Sequence, residues 1–375
     1  MTRRVLFYVQ NLLGVGHLQR AAALARSMAG VGLDVHVTAG CPVSLSAEFE
    51  PAQPIPLPLV RAADASFKIL LDEDGSSIDS AWKVRRRRAL LDAFDQLQPD
   101  VLIIELFPFG RRQFRFELLP LIERARPNSA VVCSVRDVLV RRDDPARNRE
   151  VIETANQWFD RILVHGDPQL IPLTESFPDA ASLDHMTDYT GYVVDEREPS
   201  VPAELGKGEV IVSVGGGAVG EALLRTALAA RRLSRMASVK WRLLVGSNIP
   251  EQVFSELVTA APDGVIVESA RNDFRGVLRN AALSVSQGGY NTVMDLLSAQ
   301  CRSVIVPFSE AGENEQSERA RVLQDRGLIT MVEETDLNPE TLSQAIDKAL
   351  DAPKPSAHKL NLSGAATTAQ IITGL

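Results

Sequence analysis

The chain of 375 residues is predicted to be an α/β protein of two domains, each a parallel sheet covered by helices. Three observations carry that expectation. Short, almost wholly apolar runs alternate with segments of helical length from end to end. The runs are apolar at consecutive positions, which is how a parallel strand buried on both faces reads. A charged, proline-containing stretch without apolar periodicity interrupts the alternation near the middle.

The strand runs of the first half fall at residues 5–9, 35–38, 101–104, 130–134 and 161–164. Those of the second half fall at 210–214, 241–245, 265–267, 283–285 and 303–306. Between them lies "DEREPSVPAELGKGE", which is read as a linker over residues 196–208. It separates a first domain, 1–195, from a second, 209–355, and a final helix is expected over 356–375. "PAQPIPLPLV", residues 51–60, is too rich in proline for a helix or a central strand and is read as a loop.

Composition removes several classes of function. With 45% hydrophobic residues each half can bury a core, and a net charge of −8 argues against binding nucleic acid through bulk charge. Three widely spaced cysteines, Cys41, Cys133 and Cys301, form no CxxC pair and read as reduced thiols of a cytoplasmic protein. The basic start leads into a short apolar run broken by Gln10 and Asn11, so no signal peptide is expected. No continuous apolar stretch is long enough to span a bilayer, which leaves peripheral contact with a membrane surface open.

Each half opens with a strand followed by glycines. The first loop contains Gly14 and Gly16; the second, "SVGGGAVGEALL", contains Gly215, Gly216, Gly217 and Gly220. Glycines at such a place let the backbone approach a ligand and present amides at a helix start to an anion; the plain alternative is a tight strand–helix turn. The second loop spells G-x-G-x-x-G, but neither following strand ends in the acid that a dinucleotide ribose requires. No P-loop sequence occurs. His17, directly after Gly16, is suited to remove a proton from a hydroxyl or water. A helix N-terminus disfavours its cation, so it is expected to stay neutral. A capping or packed histidine is the alternative.

The densest stretch is "SVSQGGYNTVMD", continuing through "VPFSEAGENEQ". Gly288 and Gly289 lie between a strand and a helix, where amides and helix dipole suit a phosphate. Asp295, one turn on, could take vicinal hydroxyls. Glu315 and Gln316 belong to a polar loop after the next strand; carboxylates and amides suit sugar hydroxyls, though acidic residues also favour a solvated helix start.

These motifs resemble the nucleotide-sugar signature of the GT-B glycosyltransferases. The resemblance is closest to the MurG-like group (glycosyltransferase family 28) and looser to the UDP-glycosyltransferases. It implies two Rossmann-like domains whose parallel sheets face across a cleft, with the final helix near the domain junction. Carried over, it places Gly14, Gly16, Gly216, Gly217, Gly288 and Gly289 near the donor diphosphate, and Asp295, where the family usually has Glu, on the ribose. Glu315 and Gln316 would hold the donor sugar. Arg271, Asn272 and Phe274, after "VIVES", would lie near the nucleobase, and His17 would be the base. It further implies inversion at the anomeric centre and no cofactor and no bound metal, the donor, UDP-linked, being a substrate. One departure matters. G-x-G-H-x-x-R, ending in Arg20, also resembles the nucleotide-sugar hydrolase of pseudaminic acid synthesis, which uses water as acceptor. A non-catalytic nucleotide-sugar binding protein is the reading from another class.

Acceptor candidates come from the first half. "FPFGRRQFRFELLPL" follows the strand "VLIIE" and mixes phenylalanine with arginine where this class of fold binds ligands. Phe107 and Arg111 are named from it, with Arg136 at the end of the next strand and Arg20. They could seat a hydrophobic or anionic acceptor such as a lipid-linked sugar, or be core and rim. Asp72, Glu73 and Asp74 are read as a solvated loop and not as a metal motif. The arginines at 85–88 are read as solvated surface or a contact with anionic lipid.

Overall fold

The computed structural model describes residues 2–12, 16–40, 48–63, 68–141, 144–197, 199–215, 219–309, 314–355 and 360–375. Two compact units emerge. The first takes in Met1–Leu13, His17–Glu196 and Asn361–Leu375; the second takes in Gly14–Gly16 and Arg197–Leu360.

The first unit is built on β1 (Arg4–Val9), α1 (Gly16–Gly30), β2 (Asp34–Ala39), β3 (Gln53–Pro56), the short antiparallel pair β4 (Arg61–Ala62) and β5 (Leu70–Leu71), α2 (Ser80–Leu97), β6 (Val101–Glu105), α3 (Arg115–Ala125), β7 (Ala130–Arg136), α4 (Pro145–Trp158), β8 (Arg161–His165) and β9 (Thr187–Tyr189). Its sheet runs in the order β3-β2-β1-β6-β7-β8-β9, with parallel pairs throughout. Alternation explains the apolar runs. Leu6 and Tyr8 of β1 enter one core cluster with Leu102 and Ile104 of β6. Val5, Phe7 and Val9 enter another with Val101 and Ile103. Both faces are covered, so neither needs polar residues.

The proline-rich segment is corrected: within it β3 pairs in parallel with β2 and ends the sheet order. Proline has no N–H to give, so an edge is where a strand can hold it. Helix starts follow local chemistry. Asp79 caps α2 by accepting from the amide of Trp82 at 2.7 Å. Asp144 caps α4, which begins at Pro145, by accepting from Arg147 at 3.0 Å.

The second unit comprises β10 (Val210–Ser213), α5 (Glu221–Ala230), β11 (Trp241–Val245), α6 (Glu251–Ala260), β12 (Val265–Ser269), α7 (Phe274–Asn280), β13 (Leu283–Ser286), α8 (Tyr290–Ser298), β14 (Ser303–Ile305), α9 (Glu315–Asp325), β15 (Thr330–Met331) and α10 (Pro339–Asp351). Its parallel sheet runs β12-β11-β10-β13-β14-β15. The segment read as a linker lies against α7: the side-chain amide of Asn280 donates to the Leu205 carbonyl at 2.9 Å, and Gly208 donates to the Asn280 carbonyl at 3.0 Å.

The last helix, α11 (Gly364–Gly374), belongs to the first unit. Tyr192 donates to the Asn361 carbonyl at 2.7 Å, and Gly364 donates back to Tyr192 at 3.0 Å. Gly364 has no room for a side chain, because a Cβ would meet the backbone of Gly191 and Tyr192. Ala365, Ala369 and Ile372 then join the cluster that holds Val5 and Phe7.

Among the described residues no helix is long and apolar enough to cross a membrane.

Candidate functional site

In each unit the sheet order reverses between two neighbouring strands, β1 and β6 in the first, β10 and β13 in the second. Helices leave such a pair on opposite faces, and the crevice at the strands' C-terminal ends is where open α/β sheets bind ligands. His17 follows β1, and Gly288 and Gly289 follow β13, at these two places.

In the first unit α1 starts at Gly16, so His17 occupies its first turn. Tyr8 pairs with Ile104, which sets the ends of β1 and β6 side by side and brings Glu105 under the helix start. Nδ1 of His17 meets Oε1 of Glu105 in a short contact. Arg20, one turn along, donates to the same oxygen at 2.5 Å, and Arg111 approaches Oε2 at 3.4 Å. Glu105 is 1% exposed and the His17 ring 18%.

Burial alone would raise the Glu105 carboxyl, but His17, Arg111 and Arg20 outweigh it and hold it well below the usual range. An ionised carboxylate only accepts hydrogen bonds, so Nδ1 of His17 carries the proton and Nε2 is left as the acceptor. The imidazolium is itself disfavoured. Burial comes first, and with Arg111 and Arg136 it outweighs the pull of Glu105, pushing the pKa down to about 4. A neutral imidazole with its tautomer held by a buried carboxylate is equipped to take a proton.

Sequence reasoning missed Glu105. Its signal was present, since a single carboxylate ends the apolar run "VLIIE". His165, which ends β8, is fully buried between the hydroxyls of Ser134 at 2.8 Å and Thr190 at 2.9 Å. Burial, with Arg20 adding to it, pushes that imidazole down to about 3.

Two first-unit expectations change. Phe107 is corrected as an acceptor contact: it is 1% exposed within the core, with its ring centroid 6.3 Å from that of Phe159. The arginines at 85–88 are not one kind of surface. Arg86 is fully buried and donates through Nε to both Glu117 oxygens, at 3.0 and 2.9 Å, and through its terminal nitrogens to Gln10 at 2.6 Å and the Pro58 carbonyl at 2.5 Å. Tyr8 also donates to Glu117, at 2.6 Å. Through a single guanidinium this network ties the chain just after β1 and just after β3 to α3. Asp72, finally, accepts from the amides of Asp74 at 3.1 Å and Ser76 at 2.9 Å, an exposed turn, while Glu73 pairs with Arg85 at 2.7 Å. Among the described residues no group of side chains is arranged to hold a metal ion.

In the second unit Gly288 and Gly289 follow β13, with Gly289 at the start of α8. The Gly288 amide donates to the side-chain oxygen of Gln316 at 2.9 Å, and Phe308 donates to the same oxygen at 3.1 Å. Gln316 thus ties together the turns after β13 and β14. Glu315 is buried and accepts from Arg319 at 2.9 Å; Arg319 also donates to the Gly288 carbonyl at 3.2 Å and lies over the Tyr290 ring at 5.5 Å. The two residues expected on the donor sugar are therefore engaged in shaping the glycine turn.

Asp295 is half-buried on α8. Gly215 takes φ +66 and Gly220 φ +114, and at Gly220 a Cβ would also meet Val214. Gly14, Gly216 and Gly217 lie outside the described residues. Near β12, Arg271 grips Asp273 at 2.7 and 2.8 Å, beside exposed Asn272 and half-buried Phe274.

Residues 210–372 match the model of the glycosyltransferase family 28 C-terminal domain. The UDP-N-acetylglucosamine–N-acetylmuramyl-(pentapeptide) pyrophosphoryl-undecaprenol N-acetylglucosamine transferase of Anaeromyxobacter sp. (strain K) is 36% identical over 83 residues. That match spans 22% of this chain and 22% of the relative's length. Over the whole chain the fold is similar to that of CalG4, the calicheamicin glycosyltransferase, with a TM-score of 0.66 at 14% identity, covering 98% of that protein. It is also similar to MurG of Acinetobacter baumannii, with a TM-score of 0.58 at 15% identity over 98% of this chain and 95% of that one.

Proposed function

We propose that this chain, whose residues 210–372 match the glycosyltransferase family 28 C-terminal domain and whose fold is similar to those of CalG4 and MurG, is a MurG-like glycosyltransferase that moves a sugar from a UDP-linked donor to a hydroxyl of a glycan, lipid-linked or small-molecule acceptor, with inversion and without a metal. The observation that carries this reading is the His17–Glu105 pair at the switch point of the first unit. The pair supplies a neutral imidazole whose Nε2 takes the acceptor's hydroxyl proton. The acceptor oxygen then bonds to the anomeric carbon as the bond to the diphosphate breaks, its electrons leaving with the diphosphate.

The second unit's part is to receive that charge. Amides at the start of α8 and the glycines before it, held in place by Gln316 and Arg319, suit a diphosphate without a cation. Asp295, on the same helix, suits the ribose, and residues 271–274 are the candidates for contact with the base.

The test is nucleoside diphosphate release from a panel of UDP-, GDP- and dTDP-sugars. Release only after a lysate fraction containing glycans and lipids is added supports transfer. Release into water alone, lost in His17→Ala, establishes the hydrolase related by the G-x-G-H-x-x-R loop. Donor binding with no turnover under any condition establishes a binding protein.

A further inference from the structure

Beside the His17–Glu105 pair a single carboxylate serves several basic groups. Glu105 is shared by His17 and Arg20 through one oxygen, and Arg111 reaches only the other, at 3.4 Å. Arg111 is 8% exposed, and its Nε is buried without a hydrogen-bond partner among the described residues. A guanidinium in that position has lost its water and regained little. Burial and the nearby charge of Arg136 pull its pKa down against the attraction of Glu105 and Tyr8. The backbone bears a cost as well: Leu106 at φ +70 and Arg111 at φ +59 are both left-handed without being glycine. The loop from β6 thus brings a cation to the carboxylate that holds the candidate base and leaves one of its donors unused.

We infer that Arg111 receives an anionic group of the acceptor, so that the acceptor is a hydroxyl compound bearing a carboxylate or a phosphate close to the hydroxyl that reacts. This rests on the transferase reading above and narrows its substrate class. An oxyanion placed on Arg111 would satisfy Nε and a terminal nitrogen together, the two-pronged geometry in which guanidinium binds such groups.

The test uses the whole chain labelled with nitrogen-15 and follows the arginine Nε–H resonances during titration with inorganic phosphate, propionate and the neutral analogue propionamide. The Arg111 signal is identified by its loss in Arg111→Lys. The expected result is a saturable shift of that signal with phosphate or propionate and none with propionamide. The tighter of the two anions tells phosphate from carboxylate. Arg111→Gln should weaken the anion about tenfold or more. UDP is titrated into the same samples as a check on the second unit and on the variants' folding. UDP binding without any response of Arg111 to either anion overturns the inference alone. An Arg111 response without UDP binding overturns the nucleotide-sugar reading and leaves the anion site standing. Because the decisive comparison is made on the unmutated chain, failure of a variant to fold does not rescue the inference.

Discussion

Nδ1 of His17 rests on Oε1 of Glu105, so the first turn of α1 and the last residue of β6 form one acid–base unit. That relationship gives the two residues separable roles. His17 would exchange the proton. Glu105 would fix which ring nitrogen does so.

His17→Ala should therefore abolish turnover while UDP binding, which the proposed function assigns to the second unit, stays within about twofold. A positioned base is worth roughly a hundredfold to ten-thousandfold in rate. Parallel measurement of product formation and of UDP affinity by calorimetry checks it; equal loss of both would mean that His17 is structural.

Glu105→Gln should lower kcat more than it raises KM. The amide cannot hold Nδ1–H as a carboxylate does, and it removes the charge shared by Arg20 and Arg111. Since Glu105 is the group pulling the His17 pKa upward against burial, its loss moves the acid limb of the kcat profile to lower pH. An upward shift would contradict the electrostatics described above.

Acid should destabilise the first unit early. The folded pKa values are about 4 for His17 and about 3 for His165, whereas a histidine in the unfolded chain titrates near 6.5. Between about pH 6.5 and 4 the unfolded chain binds more protons, so stability falls as pH falls. His165, buried between two hydroxyls, contributes on the order of 3 kcal/mol over that window. Urea unfolding at a series of pH values should show a shallower slope in His165→Gln.

Breaking the Glu315–Arg319 pair should cost more than its position near a loop suggests. Glu315→Gln removes the carboxylate that Arg319 meets at 2.9 Å, and loss of one partner of a buried pair costs about 3–5 kcal/mol. Gln316→Ala should be milder in thermal unfolding, yet weaken UDP, because the turns carrying Gly288 and Phe308 lose their common tie.

Gly40→Ala should destabilise by about 1–3 kcal/mol. An added Cβ there would meet Arg86, Gln10 at 2.8 Å and the Pro58 carbonyl at 3.2 Å, the groups that hold the chain after β1. Thermal unfolding of the variant beside Gly30→Ala, a position with open space around it, isolates the crowding.

Two parallel sheets and the strand–helix junction at Gly288 and Gly289 are legible in the sequence alone. Apolar runs such as residues 101–104 are local: a strand buried on both faces must be apolar at every position. The sequence also exposed His17, because a histidine after glycines at a strand–helix junction is unusual on its own terms. What lies across the chain was decided only by the tertiary structure. Glu105 is 88 residues from His17, and nothing in "VLIIE" says that its carboxylate ends beneath another strand's helix. Arg86 is written among three other arginines, and only packing of α2 against α3 selects it for burial with Glu117. Gln316 and Glu315 are legible as a polar pair, but whether they face a sugar or a glycine turn depends on where β13 and β14 end. Local spacing encodes periodicity and backbone freedom, whereas the partner of a buried charge is set by which strands the fold makes neighbours.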